Sequence, residues 1–107
     1  MKNTNTNKVT LYVGLNDKDD KVQHVNTDKA LAFVSDVCAR HVGGATISLC
    51  MGVYTHDNGV IVQEQTIKIE LINVDEDKLL YLLKTFKHAF NQESIMVERA
   101  IVDIDFQ

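Results

Sequence analysis

The chain predicts an α+β fold. It is the ferredoxin-like β-α-β-β-α-β sandwich, a four-stranded antiparallel sheet in the order 4-1-3-2 with two helices on one face. Three observations carry this. A long hairpin is written into Ala45 to Ile72 around Asp57-Asn58-Gly59. An apolar stripe at helical spacing lies on each side of it. A segment rich in β-formers opens the domain, and another closes it.

The opening segment, Val9 to Leu15, alternates with period two: Val9, Leu11, Val13 and Leu15 inward, Thr10, Tyr12 and Gly14 outward. Asn16 to Asn26 reads as a polar loop with the charge run Asp17-Lys18-Asp19-Asp20-Lys21. Thr27 suits the N-cap of the first helix, with Asp28 favourably placed in the first turn. Leu31, Val34, Cys38 and Val42, with Ala30, Phe33 and Val37, make its apolar stripe, and Gly43-Gly44 ends it.

In the hairpin, Ala45, Ile47, Leu49, Met51 and Val53 share one face of the first arm, and Ile67, Ile69 and Leu71 one face of the second. A two-residue Asn58-Gly59 turn would set Val53 beside Glu64. A three-residue loop instead pairs 49 with 67 and 47 with 69, so the apolar faces coincide and Gly59 takes the left-handed position. Gly52 then faces Glu64, Cys50 faces Thr66 and Ser48 faces Lys68.

Asn73 or Asp75 caps the second helix, whose buried side draws on Leu79, Leu80, Leu82, Leu83, Phe86, Ala89 and Phe90. In the last strand, Ser94 to Phe106, the parity slips: Ile95 and Val97 share one phase, Val102, Ile104 and Phe106 the other. A bulge near Glu98 to Ala100 reconciles them; burial on both faces by an oligomer partner is the alternative. Met1 to Lys8 reads as a flexible polar arm, and residues 9–107 as a single domain.

The totals narrow the function classes. A chain of 107 residues with 45% hydrophobic and 24% charged residues suits one globular domain. Net charge is −4 and no Lys/Arg cluster stands out, which argues against nucleic-acid binding. No apolar run approaches the ~18 residues of a membrane span, and no signal segment is visible. Two cysteines, Cys38 and Cys50, fit reduced thiols better than a disulfide scaffold.

No nucleophile elbow, Cys-x-x-Cys, His-Glu-x-x-His or phosphate loop is present, so no catalytic residue and no cofactor is assigned. His24 and His56 can approach Asp17 or Glu93, but no spacing supports a metal. The topology gathers Asn16, Asp17, Thr27, the hairpin tip and Asn91 to Ser94 at one rim. It leaves Tyr12, Gly14, Gly52, Tyr54, Glu64 and Thr66 together on the uncovered sheet face. There, two glycines leave a shallow hollow beside Glu64, and tyrosines flanking a carboxylate suit a small polar or aromatic ligand. Gln92 and Glu93 are candidates either for ligand contacts or for bonding the backbone of the strand-one exit loop.

Tyr12-Val13-Gly14-Leu15, Gly44-Ala45-Thr46-Ile47, Tyr54-Thr55-His56-Asp57-Asn58-Gly59 and Phe90-Asn91-Gln92-Glu93-Ser94-Ile95 together carry a resemblance. The chain resembles a family of small bacterial and phage-associated proteins of unknown function. The resemblance implies the α+β sandwich and no established chemistry. Its better-known members are exported, and the missing signal segment here implies a cytoplasmic version. The first functional reading is a non-catalytic interaction module, a homodimer or other protein partner using the open sheet face. The alternative is a small-molecule binder or cofactor-free enzyme at Tyr12, Tyr54 and Glu64.

Overall fold

In the computed structural model, which describes residues 2–107, six elements follow in the predicted order. They are β1 (Lys2–Gly14), α1 (Thr27–His41), β2 (Thr46–Thr55), β3 (Ile61–Ile72), α2 (Glu76–Ala89) and β4 (Met96–Asp105). The four strands form one antiparallel sheet, β2-β3-β1-β4, which is the expected order read from the other edge. Among the described residues, no helix is long and apolar enough to cross a membrane.

The hairpin has the register that its alternation demands. Leu49 pairs with Ile67, Ile47 with Ile69 and Gly52 with Glu64. At the turn, the His56 N–H donates to the Val60 carbonyl at 2.9 Å, the Asn58 side chain accepts from the Val60 N–H, and Gly59 sits at φ +83°. A β-carbon at Gly59 would be strained by that angle, which is why glycine ends the loop.

One face of the sheet and the facing sides of the helices close the core. Val9, Leu11, Val13 and Leu15 of the β1 segment meet Ile67, Ile69 and Leu71 of β3. Over them lie Ala30, Val34 and Cys38 of α1, and Leu79, Leu82 and Phe86 of α2, all buried. Burial of each large side chain contributes about 1.5–3 kcal/mol. Phe33 adds edge-on contacts to Phe86 and Phe90, at centroid distances of 6.3 and 6.0 Å, although it stays partly exposed.

The caps differ in detail from expectation. Asn26, not Thr27, caps α1, its side chain accepting from the Lys29 N–H at 3.1 Å. Asp75 takes the N-cap position of α2 without a side-chain bond. Leu80, expected on the buried side of α2, is half-exposed, because the buried stripe runs through Leu79, Leu82 and Phe86.

Three larger corrections concern the strands. First, β1 begins at Lys2 rather than Val9, and the segment expected as an arm pairs with β4, Asn7 with Ile101 and Thr6 with Val102. Met1 lies outside the described residues.

Second, β4 is not bulged at Glu98 to Ala100; its pairing with β1 is unbroken from Met96 to Val102. Val97 therefore packs toward the helices, and Val102 faces the other side. The irregularity lies on β1, between Asn3 and Thr6, where Asn5 takes φ +59°. An asparagine tolerates that left-handed angle better than most residues.

Third, Leu49, Met51 and Val53 do not reach the core, at 47%, 65% and 61% exposure. The β2–β3 hairpin runs on past the helix layer, so only Ile47 of that face packs against it.

Candidate functional site

The open face of the sheet carries an arrangement that begins with two glycines and a carboxylate. Gly52 stands opposite Glu64 across β2 and β3, and Gly14 stands opposite Thr66 across β1 and β3. A β-carbon on Gly14 would lie 2.5 Å from Cδ and from Oε2 of Glu64. The carboxylate thus rests on bare backbone, a position that only glycine leaves open. Gly52 is less demanding, its β-carbon meeting Thr66 Oγ1 at 3.2 Å. Glu64 Oε2 accepts the Asn16 N–H at 2.9 Å, the one hydrogen bond its carboxylate makes among the described residues.

Two adjoining hollows meet at this carboxylate. One, of about 310 Å³, has Gly14, Gly52, Tyr12, Cys50, Thr66 and Met96 along its sides. The other, of about 330 Å³, is bounded by Asn16, Asp17, Lys18, Lys21, Tyr54 and Glu93. Glu64, Gln92 and Ser94 belong to both. The first is mostly apolar; the second carries charges of both signs. Larger hollows, about 410 and 440 Å³, lie at the opposite rim and beside β4. In each of them a polar side chain already serves the fold, Asn73 bonded to the Asn7 N–H and Arg99 to Glu76.

The rim below the hollows is tied by side chains that follow α2. Gln92 Nε2 donates to the Asn16 carbonyl at 2.6 Å and to the Phe90 carbonyl at 3.2 Å. The expected bond to the strand-one exit loop is therefore made by Gln92, whereas Glu93 is exposed and makes none among the described residues. Asn91, held at φ +47°, donates through Nδ2 to Asp17 Oδ2 and Asp19 Oδ2, both at 2.9 Å. The Asn91 amide beside Asp17, helped by the Asp19 N–H, holds the Asp17 carboxyl below its ordinary value of 3.8.

Of the five residues singled out in the sequence, Glu64 and Gln92 stand where the two hollows meet. Tyr12 reaches only the first, and Tyr54 and Glu93 only the second. The Tyr12 hydroxyl donates to Glu98 Oε1 at 3.4 Å, and Lys68 Nζ lies 5.8 Å from the centre of its ring. Glu64 is thus not paired with Lys68. His56 packs edge-on against Tyr54 at 5.3 Å rather than approaching Asp17. His24 meets Asp20 at 2.6 Å, and Asp17, Asp20 and His24 each bring one polar atom within 4.8 Å of the others.

Sequence reasoning missed Lys18, Lys21 and Met96. Only the β1–β4 register, which sets Met96 against Tyr12, would have found the methionine. The Asn16 N–H is a backbone donor and leaves no trace in residue type.

A family model described as a protein of unknown function, DUF3574, matches residues 8–106. No curated protein matches the chain. Among solved structures, the chain is similar to a phage SAM lyase in complex with S-methyl-5'-thioadenosine. That likeness has 23% identity and a TM-score of 0.67 and covers 96% of this chain and 88% of the other. A phage SAM lyase in the apo state is similar at 21% identity and a TM-score of 0.62, over 92% and 84% of the two chains. What is common at this level is the fold.

Proposed function

The chain belongs to DUF3574, a family of unknown function, and we propose that its open sheet face binds a small organic cation bearing a nucleoside, of the adenosyl-sulfonium class. The observation that carries this is the meeting of two unlike hollows at one carboxylate. S-adenosylmethionine has three parts in sequence: an aromatic nucleoside, a sulfonium cation and a zwitterionic amino-acid end. The mostly apolar hollow at Tyr12 and Met96 suits the first and Glu64 the second. The mixed-charge hollow with Lys18, Lys21 and Glu93 suits the third. Each hollow lies within the ~300–1,000 Å³ range of small-molecule sites. The shared fold of a SAM lyase whose complex holds S-methyl-5'-thioadenosine supports the same class by analogy.

The Glu64 side chain is the part that distinguishes a cation from its neutral thioether. A carboxylate and a cation about 4 Å apart attract by about 1 kcal/mol in bulk water and about 4 kcal/mol near a protein surface. Calorimetric titration with S-adenosylmethionine and with neutral S-methyl-5'-thioadenosine tests the proposal. The expected result is that Glu64→Gln weakens the sulfonium about tenfold, equivalent to about 1.4 kcal/mol, and barely changes the thioether. Tyr12→Leu should weaken both. Failure of either nucleoside to bind, or equal loss of both on Glu64→Gln, would overturn it.

A second reading, a protein-interaction module, is supported by a separate observation: the apolar residues left bare along β2.

A further inference from the structure

We infer that β2 is a pairing edge for a second copy of this chain, joined antiparallel about Met51 so that two sheets become one. The inference does not depend on the ligand reading.

β2 is an edge strand, with β3 on one side and, among the described residues, no strand on the other. The His56 N–H bonds to Val60, and from that pair the antiparallel alternation gives β3 the N–H and C=O groups of even-numbered β2 residues. Ile47, Leu49, Met51, Val53 and Thr55 therefore direct theirs outward.

This edge is also unprotected. Natural edge strands carry lysine, proline, inward charges or bulges that stop them from pairing. Between Arg40 and Asp57 the chain has no Asp, Glu, Lys or Arg, and it has no proline at all. The β2–β3 register runs without a bulge from Thr46 to Thr55. The opposite edge strand, β4, carries Glu98, Arg99, Asp103 and Asp105. One edge is guarded and the other is not.

The edge is also self-complementary, which selects a second copy as the occupant. A two-fold axis through Met51, normal to the sheet, sets Met51 against Met51, Leu49 against Val53 and Ile47 against Thr55. All of these are outward-bonding residues, so each of these three kinds of pair forms hydrogen bonds, and the even-numbered pairs between them do not. The exposed Leu49, Met51 and Val53 then cover their own counterparts, and no charge opposes a like charge. These side chains lie on the hairpin beyond the helix layer, so the approach is not covered by the helices of the same chain. On the open face the second copy's Cys50 falls beside Gly52, adding a wall to the Glu64 hollow.

Sedimentation of the full chain, with oxidative cross-linking, tests this. The wild type should sediment as a dimer. Met51→Lys, which opposes two ammonium groups at the axis, should sediment as a monomer with an unchanged circular-dichroism spectrum. Met51→Cys in a Cys50→Ser background should oxidise to a covalent dimer, since paired strands hold Cα atoms about 5.5 Å apart, within disulfide reach. A monomeric wild type, an oligomer larger than two, or a dimer that Met51→Lys leaves intact would overturn the inference. Should Met51→Lys fail to fold, the cross-link decides alone: no covalent dimer refutes the pairing. Capture of an unrelated strand by a monomeric chain would refute it too.

Discussion

The Glu64 carboxylate lies where a β-carbon on Gly14 would stand, its Cδ 2.5 Å from that point. Gly14 is not in the left-handed region, so its backbone accepts alanine; the obstacle is volume alone. One strand's missing side chain thus makes room for the other strand's acid.

Gly14→Ala should therefore turn Glu64 off its seat and break its bond from the Asn16 N–H, destabilising the fold by about 1–3 kcal/mol. Urea denaturation measures the loss. Replacing Glu64 by alanine in the same chain removes the collision, so the double variant should recover part of it. A coupling near zero in that double-mutant cycle would show that the two residues do not meet as described.

Asn91 offers a pH-dependent test. Its amide lowers the Asp17 pKa in the folded state, so the interaction stabilises the protein above the ordinary carboxylate value of 3.8. That contribution is lost as pH falls through the depressed folded value. Asn91→Gly keeps the positive φ and deletes the amide. Its melting temperature should lie slightly below wild type at neutral pH, a small gap because Asp17 is screened by solvent. The gap should narrow below about pH 4. A gap that is constant with pH would refute the assignment.

The two thiols should differ sharply in reactivity. Burial on the core side of α1 pushes the Cys38 thiol up to about 11, whereas Cys50 is half-buried along the apolar hollow. At neutral pH an aromatic disulfide reagent should label one thiol quickly and the second only on unfolding. Cys50→Ser should abolish the fast phase, and a bound nucleoside should slow it. Fast labelling that survives Cys50→Ser would contradict this placement.

Much of the architecture was legible because it is periodic. Alternation in Val9 to Leu15 and in the two hairpin arms named the core-facing side chains of β1 and β3. The choice between a two- and a three-residue turn followed from keeping Val53 away from Glu64. The candidate site was legible to the same depth. Parity put Tyr12, Tyr54 and Glu64 on one face, and two glycines marked the gap beside the acid. Parity has no information about where an element stops being covered. It could not show that Tyr12 and Tyr54 belong to separate hollows, or that Leu49, Met51 and Val53 run beyond the helices.

By itself, the sequence determined the order of elements, the hairpin register and the sidedness of the sheet. Those are properties of neighbours along the chain and of a repeat of two or 3.6 residues. Tertiary structure alone decided that β1 reaches back to Lys2 and that the register slip falls at Asn5 rather than in β4. It also decided that the Asn16 N–H anchors Glu64 over Gly14. These depend on strand lengths meeting across the sheet and on backbone groups, which carry no residue-specific signal.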